Sequence, residues 1–538
     1  MNQNSRTSNV IRNLIGGVGG QIFTSILSFV CRTYFIKLLG ATYLGVNGLF
    51  ANILSLLSLA ELGIGPAIIF SMYKPIKDND EAHIARLMNF YKTAYRIIAC
   101  IVTACGLILL PFLPYLIKDT SGIDNLRLIF ILILANTSVS YLFAYKGSML
   151  NADQKSYICV IFRNVFAVVQ NIAQILLLIW TGNFLLYLIA QIITTFMANF
   201  VQAIYVDKKY PFLVKYKALK IDKEEQKSIM RNVKGMMMHK VGGFVLNGTD
   251  NLVISKFVGV IAVGIYSNYL MIINLVKTYV AQLTGATSAS VGNLIAGESC
   301  ENTYRVFKSL FFIYAWIYAF CFVCFWVIFQ PFIGLWLGGE YLLDEWTLFI
   351  VLINFFLNGL QECINTFTNA TGLFWATRKK PIFECIINIG VSLFLAYFIG
   401  LPGVFLGTLA SFLATFWINP KVMFKEHFQR KVAGYFLRFA LYTVLAVGMG
   451  LGLNALCNLF LTDISFWNVV IRIGLCLIVP NIIWMLIFFK TAEFKYCLNI
   501  GKRIIRKILK KVSKKKDKAT DDKIVEEGEN GEITMDCK

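Results

Sequence analysis

The residues best placed to do chemistry in this chain are ionisable groups set inside long apolar runs. Arg32, Glu61, Asp250 and Lys277 each stand among hydrophobic neighbours. A charge there is costly unless it faces protein or water. Lys37, Lys240 and Lys256 lie close enough to the ends of their runs to snorkel to the interface. Cations held in this way can neutralise an anionic ligand, and carboxylates can take up Na+ or a proton that drives movement. Arg32 and Asp250 are predicted to meet as an inter-lobe ion pair that closes the outer gate or breaks to receive an anion, the alternative being a static pair buried within the bundle. Glu61 immediately precedes Gly63-Ile64-Gly65-Pro66, a sequence that interrupts a helix.

Uncharged amides follow helical spacing beside these charges. Asn354, Asn358, Gln361, Asn365 and Asn369 share one helix face. Gln191, Thr195, Asn199 and Gln202 share another, and Asn164, Asn171 and Gln174 form a weaker one next to Arg163. Such rows serve either as interhelical glue, worth about 1 kcal/mol or less per contact, or as the wall of a wet cavity that replaces water around hydroxyls. Five amides in one row favour the cavity for residues 354–369, with Gln191, Asn199 and Arg163 contributing from the other rows.

The elements that must hold these groups are membrane spans. A hydrocarbon layer about 30 Å thick needs roughly 20 apolar residues per helix. Fourteen such spans are predicted, near 13–39, 45–72, 93–117, 126–147, 158–180, 184–206, 236–258, 262–285, 307–330, 346–370, 381–400, 402–424, 434–458 and 466–489. The composition agrees, with 57% hydrophobic and only 15% charged residues over 538 positions and a mean hydropathy of +0.65. The fold class is therefore all-α and polytopic.

The net charge of +21 would suit a nucleic-acid ligand, but its distribution excludes one. The basic residues crowd alternate gaps: Lys74 and Arg86, then Lys146 and Lys155, then the long stretch from Lys208 to Lys234, then Arg378 to Lys380 and Lys425 to Lys431. The intervening gaps are short or acidic, as with Glu340, Asp344 and Glu345. By the positive-inside rule both termini are cytoplasmic. The first span carries Arg32 and lacks a small-residue cleavage site, so it reads as a span and not a leader. Residues 495–516 form a basic amphipathic segment suited to an anionic leaflet, and the acidic remainder reads as disordered.

The spans repeat. A shift of 219 residues places Arg12-Asn13 on Arg231-Asn232, Gly16 on Gly235, Lys37 on Lys256, Gly40 on Gly259 and Gly45 on Gly264. Two six-span lobes follow, at 1–206 and 236–430, joined by a basic linker at 207–235. Spans 13 and 14 (431–490) and a tail (491–538) are appended. Six is even, so the repeats are parallel, an arrangement that recurs in transporters whose halves rock about a central cavity. Under the same shift Pro66 falls on Gly285, which makes Gly65, Pro66 and Gly285 the predicted hinges.

No catalytic constellation is legible. His83, His239 and His427 all fall near span ends, and the longest outer gap is only about residues 331–345. The thirteen cysteines are scattered. The CxxC pair Cys321 and Cys324 has no ligand partners, so packing is the predicted role, with no metal or cofactor. A nucleotide-binding GxxxxGK[ST] motif is absent.

The block Arg32-Thr33-Tyr34-Phe35-Ile36-Lys37-Leu38-Leu39-Gly40 with Tyr43-Leu44-Gly45 resembles the polysaccharide transporter family. So does Leu59-Ala60-Glu61-Leu62-Gly63-Ile64-Gly65-Pro66-Ala67 with Tyr73-Lys74-Pro75. These are the Wzx-type flippases, in the superfamily that also holds multidrug exporters and lipid II flippases. The resemblance implies two lobes about a cationic V-shaped cavity. It also implies alternating-access transfer of a polyprenyl-pyrophosphate-linked oligosaccharide to the outer leaflet of a bacterial plasma membrane. It places pyrophosphate contacts on Arg32 and Lys277 and allows contact with a polysaccharide polymerase. A lipid II flippase differs only in the glycan. A multidrug/cation antiporter would keep acidic residues in the cavity without basic companions.

Overall fold

A computed structural model describes residues 3–58, 64–118, 123–217, 219–461, 463, 465–499 and 502. Glu61, and the basic segment and acidic tail from residue 503 onward, lie outside them. Among the described residues the chain is all helix, without a strand. The first half contains α1 (Gln3–Leu57), α2 (Ile64–Asp78), α3 (Glu81–Leu109), α4 (Leu113–Leu116), α5 (Leu126–Ala144), α6 (Gly147–Ala152), α7 (Ser156–Thr181), α8 (Phe184–Lys209) and α9 (Phe212–Lys215). The second contains α10 (Lys223–Phe257), α11 (Val260–Gly297), α12 (Cys300–Trp336), α13 (Glu345–Ala370), α14 (Phe374–Thr377), α15 (Lys380–Ile399), α16 (Leu401–Thr415), α17 (Ile418–Met423), α18 (Ala433–Phe460) and α19 (Phe466–Phe488).

Twelve helices among the described residues are long and apolar enough to cross a membrane, two fewer than the fourteen spans expected. The difference has local causes. The first two expected spans share α1, which bends at Gly40 (φ 79°, ψ 178°). The seventh falls on the part of α10 whose side chains lie largely outside those described.

Two buried clusters define two lobes. One draws on α1 to α9, from Phe35 to Leu213, with Ile229 and Val233 from the linker side. The other runs from Val253 to Phe494 and is densely aromatic, with Phe307, Phe311, Tyr435 and Trp484 at its centre. Both α18 and α19 pack on α12, so the last two helices extend the second lobe.

The repeat is visible in the backbone. Gly40 and Gly259 both hold positive φ, at 79° and 132°, where a side chain would be strained. Each lets a helix end and the next begin with almost no loop. Five residues further on, Gly45 and Gly264 cross each other. A Cβ on Gly45 would overlap the Val260 carbonyl, and one on Gly264 would overlap the Ala41 carbonyl. Ala41 and Val260 are themselves repeat mates, so the contact is reciprocal about a pseudo-twofold axis.

Helix α11 runs unbroken through Gly285, because glycine keeps its backbone donor and only lowers helix stability. Pro66 falls in the first turn of α2, where a proline costs no hydrogen bond. Gly65 packs under the hydroxyl of Tyr91.

Candidate functional site

The lobes close on each other at the end of the bundle remote from the basic gaps. Beside the glycine crossing, the Trp336 indole N–H donates to Thr33 Oγ1 at 2.8 Å, and its ring stacks on Phe29 with centroids 3.9 Å apart. The Lys118 amide donates to the Ser255 carbonyl at 3.1 Å, and the Ser255 hydroxyl to the Leu116 carbonyl at 3.0 Å. Each of these bonds joins one lobe to the other.

Beneath that seal the lobes part around a cavity of about 1230 Å³, lined by α1, α7 and α11. Its wall spans Gln21 to Val30 on α1 and Met271 to Gln282 on α11. At 1.5 Å per residue these lie roughly 15–35 Å from Gly40 and Gly259, in the half of the bundle toward the basic gaps. Two smaller cavities adjoin it. One of about 460 Å³ shares Arg163 and Ala167 and reaches α8. One of about 370 Å³ shares Ser28, Ala167 and Met271 and ends at Arg32.

The lining is rich in amides and hydroxyls and one-signed in charge. Among the described residues Arg32 and Arg163 are its only ionisable cations, and no Asp or Glu lines any of the three cavities. Arg163 is exposed within the wall. Arg32 is half-buried at the apex, where its Nε donates to Asn268 Oδ1 at 3.0 Å and its Nη2 to the Ser267 hydroxyl. A guanidinium tied to neutral groups keeps its full charge available to an anion.

The Arg32–Asp250 ion pair expected from sequence does not form. Asp250 sits in the second lobe against Thr408 and Tyr266, and its Oδ1 lacks a hydrogen-bond partner. The repeat shift fixes depth along a helix but not azimuth, and α10 turns this side chain toward α16. Lys277 also departs from expectation. It is exposed on the flank of α11, with Nζ 5.8 Å from the Phe355 ring, and its electrostatic partner is Glu362 on α13. It therefore does not line the arginine cavity.

The amide row on α13 is divided lengthwise. Asn354 is buried and donates to the Phe405 carbonyl at 2.9 Å. Gln361 is buried and donates to the Phe416 carbonyl at 3.1 Å. Asn365 accepts from Asn419 at 2.7 Å. These three hold α13 to α16 and α17, which corrects the cavity role given them. Asn358 is exposed, its amide donating to the Asn354 carbonyl, and shares the open edge with Glu362 and Asn369. On α8, Asn199 lines the middle cavity with Thr194 and Gln202. Gln191 does not line it; its carbonyl accepts from Thr194.

Two intramembrane charges escaped the sequence reading. Glu362 was hidden inside the amide row, one residue past Gln361. Arg472, buried on α19, donates to the Leu461 carbonyl and Asn458 at 2.9 Å and to the Val327 carbonyl at 3.3 Å. A single Arg in the last apolar run was its only sequence signal.

Outside the spans, burial and then the hydrogen bond to Asp153 hold the Tyr210 phenol well above its usual range. Asp153 also pairs with Lys155, and Lys146 with Asp207. These contacts pin the basic gaps of the first lobe together. Among the described residues no group of three or more His, Cys, Asp or Glu gathers as a metal site.

A multi-pass membrane protein built of two pseudo-symmetric helical lobes around a cavity that carries arginine, amide and hydroxyl side chains is what this fold and site define. The chain belongs to the polysaccharide biosynthesis protein family, whose sequence profile matches residues 10–288. No curated protein matches it in sequence. Among solved structures it is similar to the lipid II flippase MurJ in an inward closed conformation (TM-score 0.64, 14% identity, 88% of this chain and 99% of that one). It is also similar to an inward-facing multidrug resistance MATE family transporter of the MOP superfamily (0.58, 15%, 74% and 94%). The Vibrio cholerae MATE transporter VcmN in its bent form is a further likeness (0.51, 14%, 82% and 100%). At such identities the likeness establishes a shared fold.

Proposed function

We propose that the chain is a flippase, not an enzyme. It carries a polyprenyl-pyrophosphate-linked oligosaccharide from the cytoplasmic to the outer leaflet of a bacterial plasma membrane, for export of surface polysaccharide. Both termini and the basic gaps face the cytoplasm. The observation that carries this reading is the inter-lobe cavity, which lies in the half toward the basic end and, with the two cavities that adjoin it, is lined by two arginines and no carboxylate among the described residues. Pyrophosphate binds Arg163 first and then Arg32 at the apex, while Asn164, Asn199 and Gln202 replace water around the sugars. The prenyl chain stays in lipid.

A charged headgroup cannot cross hydrocarbon unaided, because its unsatisfied polar groups cost too much there. Loading weakens the hold of Arg32 on Ser267 and Asn268, which couples occupancy to the closure between lobes. An inside-negative potential contributes about 2.3 kcal/mol per charge per 100 mV, so two phosphate charges bias export outward without nucleotide. Asp250 and Lys277–Glu362, in the second lobe, would take part in any coupling to Na+ or H+. A partner polymerase would take the delivered headgroup at the outer face.

An organic-cation substrate is disfavoured by the same charge pattern, and a lipid II headgroup would differ in its sugar and peptide alone. The test is export of surface glycan by Arg163→Ala and Arg32→Ala chains at wild-type membrane levels. Each loss of a charge-assisted contact should slow export at least about tenfold. Wild-type export by both variants would overturn the reading.

A further inference from the structure

A second concave site lies at the basic end of the first lobe. It measures about 400 Å³, opens between α3, α5, α8 and α9, and shares no lining residue with the inter-lobe cavities. Lys92 and Arg96 stand one turn apart on α3, Lys146 lies just past α5, and Lys217 follows α9; against them stands one carboxylate, Asp207 on α8. Asp207 is engaged by Lys146. Among the described residues Lys92, Arg96 and Lys217 have no ion-pair partner, and Lys92 feels the like charges of Arg96, Lys146 and Lys217 more strongly than the opposite charge of Asp207.

The convergence is built and not incidental. Asn89, one turn before Lys92, donates to the carbonyls of Tyr216 and Leu219 at 2.9 and 3.0 Å. Those bonds fix the segment carrying Lys217 against α3. Basic residues that merely orient a helix need only lie near the interface. They need not turn toward one hollow, where mutual repulsion is relieved by an anion.

The other flank of the hollow is apolar and open. Leu142, Phe200, Ile204 and Val214 are 42%, 38%, 41% and 41% exposed, and Phe143 packs edge-on against Phe196 and Phe200. A cationic floor beside a greasy wall matches an amphiphile. We propose that this site binds the phosphodiester headgroup of an anionic phospholipid in the leaflet at the basic end, its acyl chains lying along Leu142, Phe200 and Ile204. Free phosphate would satisfy the cations but leave that wall uncovered. The inference stands independently of what the inter-lobe cavity carries.

The test is native mass spectrometry of the delipidated full chain, titrated with dioleoyl phosphatidylglycerol, dioleoyl phosphatidylcholine or inorganic phosphate. Phosphatidylglycerol should bind more tightly than phosphatidylcholine, by about fivefold for each participating cation. The Arg96→Gln/Lys217→Gln chain should lose that preference, and Lys425→Gln, an exposed basic-end control, should keep it. Should the double variant fail to fold, Lys217→Gln alone changes only a connecting segment and should shrink the preference about fivefold. Equal binding of the two lipids, an equal loss in the Lys425→Gln control, or displacement of phosphatidylglycerol by equimolar phosphate would each overturn the assignment.

Discussion

Two guanidiniums inside this bundle have opposite work. Arg472 is buried, and its two Nη groups donate to two carbonyls and an amide oxygen while Nε is left without a partner, so its role is to satisfy the end of α18. Replacing it with Met orphans those acceptors and should cost about 2–3 kcal/mol of stability, read as a lower unfolding temperature with export preserved in the folded fraction. Arg163 faces an open wall without a carboxylate among the described residues. Its replacement by Ala should leave unfolding within about 0.5 kcal/mol while export falls. If both variants lose stability equally, the distinction fails. A third charge, Lys277, answers to Glu362. Lys277→Glu should set two carboxylates together and impair export, and adding Glu362→Lys should restore part of it in a surface-glycan assay.

At the scale of elements, the sequence spoke clearly about spacing and poorly about neighbours. The basic-x-x-Gly ends at Lys37–Gly40 and Lys256–Gly259 were legible because a reversal without a loop demands positive φ, and glycine supplies it. Gly40→Ala should cost about 1–3 kcal/mol through that backbone alone, measurable as reduced folded yield. The amide row on α13 misled for a physical reason. Helical period says which residues share a face, but not what covers it. Here α16 and α17 cover the Asn354, Gln361 and Asn365 edge and leave Asn358, Glu362 and Asn369 open. The Asp250 expectation failed in the same way, since a repeat fixes height and not direction. Arg163 lines the cavity because α7 packs along α1 with its amide face inward, Asn171 donating to Ser28 at 3.1 Å.

For the whole molecule, the seal at one end and the hollow at the other predict one-sided access. In a background freed of native cysteines, Ser25→Cys in the cavity wall should react with a membrane-impermeant maleimide from the cytoplasmic face and not from outside. The opposite pattern would invert the proposed orientation. Gly45→Val should wedge the crossing at Val260 and make the same cysteine reactive from outside as well. No change in labelling would show that the crossing does not hold the seal.

The reciprocal meeting of Gly45 with Val260 and of Gly264 with Ala41 has the form of a homodimer contact caught within one polypeptide. A half-length ancestor pairing with itself could own only features that came in twos, including every charge near its axis. Within one chain that obligation does not hold. Arg32 now stands opposite Asn251 in the shifted register. In α15, which occupies in the second lobe the place of α7 in the first, Lys380 is answered by Glu384 at 3.1 Å. The joined halves kept their shared crossing and divided their labour, so that unneutralised positive charge at the hollow became the private property of the first.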